Sequence, residues 1–355
     1  MPASTAPRSL CLLRLSALGD ATHVLPLVRA LQRALPSTAL TWVIGKGEAK
    51  LLEGLDGVEF VVFDKKTGFA GWRELRARLA GRRFDALLNL QLALRAGLAS
   101  TAIRADRRIG FDRARSREGH SLFIDERIPP GGWHVVDAFQ QFLRPLGVEP
   151  GTIEWRLPIP DEAHAWAREQ LPGEAPTLVV SPCSSHPLRN WRPERYAAVA
   201  DHAAARGWRV AIVGGRSDLE RRTADAILAA MAAPAVDLVG RDTLKQLLAL
   251  LQRATLVMSP DSGPAHFANA AGTAVLGLHA CTDAERSGPY SDRRWTVNRY
   301  AEAAERFLHR PAQALRWGRR IEFPGVMDLV TVDDAAARFD AFAAHRGAQG
   351  AAPAR

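Results

Sequence analysis

The stretch MSPDSGPAHFANAAGTAVLGL (258–278) combines residue types that could bind an anionic ligand. An apolar strand ends at a turn, and the proline after it suits the first position of a helix. The amides of Ser262 and Gly263, with the helix dipole behind them, would bind an anion. Asp261 is acidic and should face a sugar hydroxyl, with His266 one helical turn further on. An ordinary strand-to-helix connection capped by Asp or Ser explains the same pattern.

A second candidate anion site lies in SPCSSHPLRNWRPERY (181–196). The stretch follows an apolar strand and offers the Ser184 and Ser185 hydroxyls, with Arg189 ahead of a helix. Two hydroxyls and a guanidinium are what a diphosphate needs where no metal neutralises it. An ordinary surface loop accounts for these residues equally well.

A glycine turn with carboxylates, GGRSDLE (214–220), follows another strand. Asp218 or Glu220 could accept hydrogen bonds from a ribose, as acidic residues do in other nucleotide-binding folds. Capping of the next helix by Ser217 or Asp218 is the favoured alternative for either residue taken singly.

Near the N-terminus, RLSALGDATHVLP (14–26) places Gly19 and Asp20 at the turn between a strand and a helix. Such turns commonly bind phosphate, but an acidic residue gives this one the wrong charge. A further pair, His134 and Asp137, lies one turn apart at the start of an amphipathic helix. A capping role explains that pair as well as a functional one.

The elements that must position these residues alternate between strands and helices twice along the chain, which predicts two parallel α/β units. The predicted strands are 9–15, 39–45, 58–64, 84–90 and 107–111, then 177–182, 209–215, 235–241, 254–260 and 274–280. The predicted helices are 22–34, 72–80 and 134–146, then 193–206, 217–232, 243–253, 263–271 and 330–345. The Pro-rich stretch near 156–162 predicts a linker over about 150–175.

Composition and charge restrict the class of protein. With 47% hydrophobic and 24% charged residues, the 355-residue chain is typical of a globular protein, and no apolar run is long enough to span a membrane. Residues 1–160 carry 23 Lys and Arg against 16 Asp and Glu, whereas the remainder is nearly balanced. The excess is concentrated in 65–83 and 104–117, which favours an anionic partner for the first half. General arginine bias would give the same excess.

Several chemistries lack their sequence motifs. The three cysteines, Cys11, Cys183 and Cys281, are widely spaced and form no ligand cluster, so disulfides and structural zinc are not expected. The sequence has no GxxxxGK[ST], HExxH or GxSxG motif, and no GxGxxG followed by a suitable acid. Kinase, zinc hydrolase, serine hydrolase and dehydrogenase functions are therefore disfavoured. No basic stretch interleaved with aromatic residues supports binding of nucleic acid.

The ordered set of motifs nevertheless resembles one family, the bacterial lipopolysaccharide ADP-heptosyltransferases of glycosyltransferase family 9. The matching segments span the chain, and the strand, the D-S-G-P-x-H turn and the following A-x-x-G-T are the most specific. A cysteine common near the family's C-terminal helix is replaced here by Val326. The segments are "RLSALGD…HVLP", "SPCSSHPLRNWRPERY", "VGGRSDLE", "DTLKQLLALLQRATLVMSPDSGPAHFANAAGTAVLGL", "CTDAERSGPY" and "VMDLVTVDDAAARF".

This resemblance implies a GT-B fold, in which two Rossmann-like parallel-sheet domains face each other across a cleft. Residues 1–160 would form the N-terminal domain that binds the acceptor, and residues 175–325 the domain that binds the nucleotide-sugar donor. Residues 326–347 would form a C-terminal helix able to pack back on the N-terminal domain. The basic first half suits an anionic acceptor.

The resemblance also assigns roles to individual residues. Asp20 matches the family's proposed catalytic base, which deprotonates the acceptor hydroxyl in an inverting transfer. Arg14 matches a basic residue that is more often lysine, and His23 and His134 match positions on the acceptor side. The positions that match the family's donor and diphosphate site are Ser184, Ser185, Arg189, Asp261, Ser262, Gly263 and His266.

Cofactors and partners follow from the same resemblance. The implied donor is ADP-heptose, and the implied acceptor is the Kdo or heptose of an anionic, lipid-linked lipopolysaccharide core. No metal site or DxD motif is found, so metal-independent transfer is expected, with Mg²⁺ at most auxiliary. The protein is expected in the cytoplasm, in peripheral contact with the inner face of the inner membrane.

Two alternatives remain open from the sequence. A member of the same family could use another nucleotide-linked sugar or a later core acceptor, because donor-pocket side chains decide this and the sequence ranks them poorly. A two-domain protein that binds nucleotide or glycan without turnover is the second alternative. Heptosyltransferase I, heptosyltransferase II and later transferases are not distinguished by these motifs.

Overall fold

Two six-stranded parallel sheets, each flanked by helices, make up the described part of the chain. The computed structural model describes residues 6–291 and 293–350. These residues divide between a first unit that ends at Pro158 and a second unit that begins at Ile159. None of the described helices combines the length and apolarity that crossing a bilayer requires.

The first unit begins with β1 and α1, and helices separate most of its strands. Its strands are β1 (Ser9–Arg14), β2 (Ala39–Gly45), β3 (Val58–Phe63), β4 (Phe84–Asn89), β5 (Ala105–Gly110) and β6 (Glu126–Arg127). Its helices are α1 (Leu18–Ala34), α2 (Lys46–Leu51), α3 (Gly68–Arg78), α4 (Leu94–Ser100) and α5 (Val135–Gln140), with 3₁₀ turns at His120–Phe123 and Gln141–Leu146.

The second unit begins with a helix and then repeats the same alternation. Its strands are β7 (Thr177–Val180), β8 (Arg209–Ile212), β9 (Val236–Asp237), β10 (Leu256–Pro260), β11 (Ala274–His279) and β12 (Val297–Asn298). Its helices are α6 (Asp161–Gln170), α7 (Pro193–Ala204), α8 (Asp218–Ala230), α9 (Leu244–Arg253), α10 (Gly263–Ala270), α11 (Ala284–Ser287), α12 (Tyr300–Leu308) and α13 (Val332–Gly350).

Both sheets have the strand order of a dinucleotide-binding fold. The first runs β3-β2-β1-β4-β5-β6, and the second runs β12-β11-β10-β7-β8-β9, which is the same order from the other side. In each sheet the order in which successive strands are added reverses between two neighbouring parallel strands. These are β1 and β4 in the first sheet and β7 and β10 in the second. Ligands bind in such sheets outside the carboxyl ends of the strands at this switch point.

The most apolar strands lie in the middle of each sheet, where their side chains are buried. β1 lies between β2 and β4 with Leu10, Cys11, Leu12 and Leu13 fully buried, and β10 lies between β7 and β11 with Val257 fully buried. Strands covered by helices on both faces have continuous apolar sequences, as these have. The cysteines at 11, 183 and 281 are buried and free, in keeping with a packing role.

Some element bounds differ from those predicted. α1 begins at Leu18 and not at residue 22, so Asp20 lies inside the first helical turn and not in the turn before it. The helix predicted over 134–146 is α only as far as Gln140 and continues as a 3₁₀ turn. The strand predicted over 235–241 has two residues, Val236 and Asp237.

The segment of chain that connects the two units also differs from the predicted linker. The segment predicted as a linker, 150–175, contains α6, which buries Ala163 and Ala167 and packs on α9 of the second unit. At the other end, the C-terminal helix α13 packs on α7 and β11 of the second unit. Its Phe339 is fully buried and packs edge-on against Trp208.

Candidate functional site

Asp20 lies beside a cation at the switch point of the first sheet. Arg14 ends β1, and its Nη2 is 2.5 Å from Asp20 Oδ2, while its Nη1 donates to the carbonyl of Leu90 at 2.6 Å. The same Asp20 oxygen accepts from the Ala17 amide at 3.1 Å, which caps α1. The Asp20 side chain is still 35% exposed, so one face of the carboxylate is open to a ligand.

Two histidines complete this cluster. His23 Nδ1 lies 3.8 Å from Asp20 Oδ1, and the rings of His23 and His134 meet edge to face at 5.9 Å between centroids. His134 also caps α5, because its Nδ1 accepts from the Val136 amide at 3.1 Å. Both histidines are buried. The structure therefore brings His134 to Arg14, Asp20 and His23, from which it is more than 100 residues away in the sequence.

The electrostatics of the cluster keep Asp20 ionised. Burial alone would raise its pKa, but the Arg14 charge and the neighbouring His23 imidazole hold the pKa of Asp20 well below its usual range. Asp20 is accordingly a carboxylate throughout the physiological range, able to accept a proton or a hydrogen bond.

The candidate anion site of the second unit lies at the carboxyl ends of β7, β8, β10 and β11. β10 pairs with β7 at one side and β11 at the other, so residues after these strands share one edge of the sheet. Ser262 is the N-cap residue of α10, and its Oγ lies 2.8 Å from Ser259 Oγ. The free amides of the first helical turn, Gly263 included, supply anion-binding donors.

Asp261 and His266 are paired at this turn, a contact that the sequence analysis did not predict. His266 Nε2 is 3.3 Å from Asp261 Oδ1, and both side chains are nearly buried. Burial would raise the pKa of Asp261, yet the hydrogen bond with His266 and the charge on that ring keep it low. The pair thus presents an ionised carboxylate that can accept from hydroxyl groups.

The loop after β7 holds the two serines and the arginine in different environments. Ser184 is buried, and its Oγ donates to the His186 carbonyl at 2.9 Å while its amide donates to Asn190 Oδ1 at 2.7 Å. Ser185 is exposed. Arg189 is buried and ion-paired through its Nε to Glu322 Oε1 at 2.7 Å, a partner that the sequence did not suggest.

The two candidate ribose ligands lie in different environments: Glu220 is hydrogen-bonded at the start of α8, and Asp218 is exposed. Glu220 lies in the first turn of α8, where its carboxylate accepts from Ser217 Oγ at 2.6 Å and from the Gly215 amide at 2.7 Å. Ser217 Oγ in return accepts from the Glu220 amide at 3.3 Å. Asp218 is exposed in the first turn of the same helix.

Sequence reasoning missed several polar groups at this edge. Burial raises the pKa of Asp242 to about 6, with Glu220 adding to the rise and Arg216 opposing it. After β11, His279 Nδ1 lies 3.2 Å from Thr282 Oγ1, and Ser287 Oγ is 3.5 Å from Asp261 Oδ2. Asp242 begins one of the segments that match the family, but nothing in its sequence context marks it as a candidate. Its burial and its proximity to Glu220 appear only in the structure.

A metal site is not formed within the described chain. Among residues 6–291 and 293–350, no three His, Cys, Asp or Glu side chains are grouped so as to hold an ion.

Comparisons with known proteins agree with this architecture. The chain is 38% identical over 335 residues to the lipopolysaccharide core heptosyltransferase OpsX of Haemophilus influenzae, covering 94% of this chain and 96% of that protein. Its structure matches that of a family 9 glycosyltransferase from Veillonella parvula with a TM-score of 0.76 at 19% identity, covering 94% and 97% of the two chains. It matches ADP-heptose lipopolysaccharide heptosyltransferase II of Escherichia coli with a TM-score of 0.70 at 16% identity, covering 96% and 99%.

The structural likenesses confirm the GT-B fold that the sequence predicted, since each spans both sheets. The profile of glycosyltransferase family 9 (heptosyltransferase) matches residues 72–315, which include the Ser184, Asp218 and Asp261 segments. Together with the relative that is 38% identical over nearly the whole chain, this match establishes that the chain belongs to glycosyltransferase family 9, the heptosyltransferase family.

Proposed function

We propose that this glycosyltransferase moves a heptose from ADP-heptose to the Kdo or heptose of the lipopolysaccharide inner core, with inversion at the anomeric carbon. The observation that carries the proposal is the Arg14–Asp20–His23 cluster, an ionised carboxylate at the switch point of the first sheet. The similarity to a lipopolysaccharide core heptosyltransferase over 94% of the chain supports the choice of substrates.

In the proposed reaction the acceptor hydroxyl attacks the anomeric carbon from the face opposite ADP. Its proton passes to a carboxylate oxygen of Asp20, a new glycosidic C–O bond forms, and the bond to the diphosphate breaks with both electrons leaving on ADP. Arg14 orients the carboxylate through its ion pair. His23 and His134 lie behind Asp20 and fix its position from within the core.

The donor is proposed to bind at the carboxyl edge of the second sheet. Arg189, the hydroxyls of Ser184 and Ser185, and the N-terminus of α10 would bind the diphosphate and stabilise the charge that develops as it leaves. Asp261 with His266 would accept hydrogen bonds from sugar hydroxyls. Asp218 or Glu220 would contact the ribose. These groups act without a metal, so Mg²⁺ is at most auxiliary.

The acceptor is lipid-linked and anionic in this proposal, and the excess of arginine and lysine in residues 1–160 suits such a molecule. Transfer would take place at the cytoplasmic face of the inner membrane, with the protein in peripheral contact.

Release of ADP from ADP-heptose in the presence of Kdo-lipid A tests the proposal. Asp20→Asn keeps the size of the side chain and one accepting oxygen but cannot take the proton, so turnover should fall by about 10²–10⁴-fold. ADP binding measured by calorimetry should stay within about twofold, because the donor groups are elsewhere in the sequence and in the fold.

Other results of these assays would contradict single parts of the proposal. Unchanged turnover in Asp20→Asn would contradict the role of Asp20, and loss of turnover in EDTA would contradict metal independence. Transfer from another nucleotide-linked sugar alone would change the donor. Binding of ADP without turnover on any core acceptor would leave a nucleotide-binding protein and overturn the proposed activity.

A further inference from the structure

The first unit exposes large apolar side chains that its own core does not bury. Leu94 and Leu98 of α4 are 48% and 54% exposed, Leu122 is 83% exposed, and Phe69 at the start of α3 is 73% exposed. Single exposed leucines are common on protein surfaces and need no explanation. A contiguous patch of exposed apolar side chains, in contrast, is typical of an interaction site, so it is important whether these side chains are neighbours.

The three leucines lie side by side. Leu94 and Leu98 are one turn apart on α4 and so share a face of that helix. α4 packs tightly on the 120–123 turn, where a Cβ on Gly97 would clash with the ring of Phe123. Methyl groups of Leu94 and Leu122 both lie within 4.0 Å of the position that a Cβ on Gly119 would take.

Aromatic residues of α3 extend the surface. The rings of Phe69 and Trp72 are stacked, 5.5 Å apart and nearly parallel. Trp72 Nε1 donates to Thr101 Oγ1 at 2.9 Å, and Thr101 Oγ1 donates to the Leu98 carbonyl at 2.7 Å, which links α3 to the end of α4. We call Phe69, Trp72, Leu94, Leu98 and Leu122 the apolar surface.

Cations lie on or next to the segments that carry the apolar surface. Many basic residues of the first unit are neutralised within it, for example Arg82 by Glu59 and Arg107 by Glu126. In the described part of the chain, no carboxylate forms an ion pair with the exposed residues Arg73, Arg95, Arg113 and Arg117. Arg76 lies over the Trp72 ring at 5.4 Å.

The apolar surface also lies at a particular edge of the first sheet. α3, α4 and the 120–123 turn follow β3, β4 and β5, and α1 with Asp20 follows β1. Because these strands are parallel, the segments that follow them begin at the same edge. Phe69 and Leu94, at the starts of α3 and α4, therefore lie at the edge that carries the proposed catalytic base.

We infer that the apolar surface with its surrounding arginines docks the first unit on an anionic lipid bilayer. Leucine and aromatic side chains would enter the headgroup boundary, and the arginines would pair with lipid phosphates, the combination by which proteins bind to membrane interfaces. A second copy of the chain fits less well, because self-association would bring these unpaired cations against one another. The inference deepens the proposed function, which includes peripheral contact with the membrane, by naming the surface that makes the contact, and vesicle binding can be measured without turnover.

Flotation of the purified full chain with vesicles tests the inference. The protein should float with vesicles of phosphatidylethanolamine and phosphatidylglycerol, bind phosphatidylcholine vesicles less, and be released as salt rises. The variant Leu94→Ser/Leu98→Ser/Leu122→Ser should lose about tenfold or more of its affinity for the anionic vesicles. Phe323→Ser removes a side chain of the second unit that is 41% exposed and should leave binding unchanged.

Three results would overturn the inference: no flotation of the wild type, unchanged flotation of the triple variant with an unchanged thermal unfolding temperature, or a wild-type dimer that the triple variant converts to a monomer. Transfer assays separate this question from the proposed function. The triple variant should keep its rate on a deacylated, water-dispersed core acceptor and lose rate on acceptor embedded in vesicles. A lack of turnover on both acceptors by the wild type would contradict the proposed function and leave docking to the flotation result.

Discussion

Arg14 controls the protonation of Asp20, because its guanidinium is the nearest charge to that carboxylate. A proton acceptor with a low pKa is ionised at neutral pH but is a weak base, so in the proposed reaction Asp20 would always be deprotonated at the cost of lower basicity. Binding of an acceptor could shift this balance by competing for the hydrogen bonds of Arg14.

Replacing Arg14 by Gln should therefore raise the pKa of Asp20, since burial is then opposed only by His23 and the Ala17 amide. The base must be ionised to act, so the acidic limb of kcat/KM should move to higher pH by the same amount. Arg14→Lys keeps the charge and should leave that limb in place. A pH–rate profile of the Gln variant that coincides with the wild type would contradict this account.

Glu322 affects the charge of the proposed diphosphate site in the same way that Arg14 affects Asp20, through an ion pair. Its carboxylate neutralises Arg189 in the free protein and would lie close to an incoming diphosphate. Glu322→Gln keeps an oxygen that can accept from Arg189 but removes the negative charge. ADP affinity measured by calorimetry should rise by about threefold to tenfold.

Asp328→Asn is the matched control for that experiment, because Asp328 pairs with Arg192, an arginine assigned no part in binding the diphosphate. Its ADP affinity should equal that of the wild type. Weaker ADP binding by Glu322→Gln would mean that the carboxylate is needed to orient Arg189.

At the scale of elements, the helix starts that carry candidate ligands are also structurally capped. α8 begins with Ser217 as its N-cap, hydrogen-bonded to Glu220, and α5 begins with His134 as its cap. A side chain used in this way contributes to stability whether or not it touches a substrate, so a loss of activity alone cannot assign its role.

Ser217→Ala should destabilise the second unit by about 1 kcal/mol, because the amide of Glu220 loses its acceptor. For a unit of this size the unfolding temperature should fall by about 2–4 °C in a thermal scan. Ser121→Ala, an exposed serine of the first unit, should leave the temperature unchanged. An unaltered unfolding temperature in Ser217→Ala would show that the cap contributes nothing measurable.

At the scale of the whole molecule, the two sheets repeat one topology but differ at their switch points. The first presents Asp20 with Arg14, and the second presents a helix N-terminus with Arg189 and Asp261. The proposed donor and acceptor roles therefore belong to different units of the chain.

Hydrogen exchange measured with and without ADP should separate these roles. ADP at 100 times its dissociation constant stabilises the state that binds it by about 2.7 kcal/mol. Amides in 181–190 and 258–266 should exchange more slowly with ADP, whereas amides in 14–26 should be unaffected. Protection confined to 14–26 would reverse the assignment of the two units.

Much of the fold could be predicted from the sequence because its strands are apolar and its helices periodic. β2 was predicted at the residues where it forms, and both α/β units follow from the alternation of elements. The short strand β9 and helix α6 were misjudged, because two residues of pairing or a half-buried helix depend on their neighbours more than on their own pattern.

The sequence by itself determined the fold class, the family and the candidate residues, since residue type and spacing along the chain carry that information. Only the tertiary structure decided that Arg14, Asp20, His23 and His134 form one cluster, that Glu322 pairs with Arg189, and that burial perturbs Asp242. The physical reason is that pairing and desolvation depend on distances between segments far apart in the chain, which residue spacing does not encode.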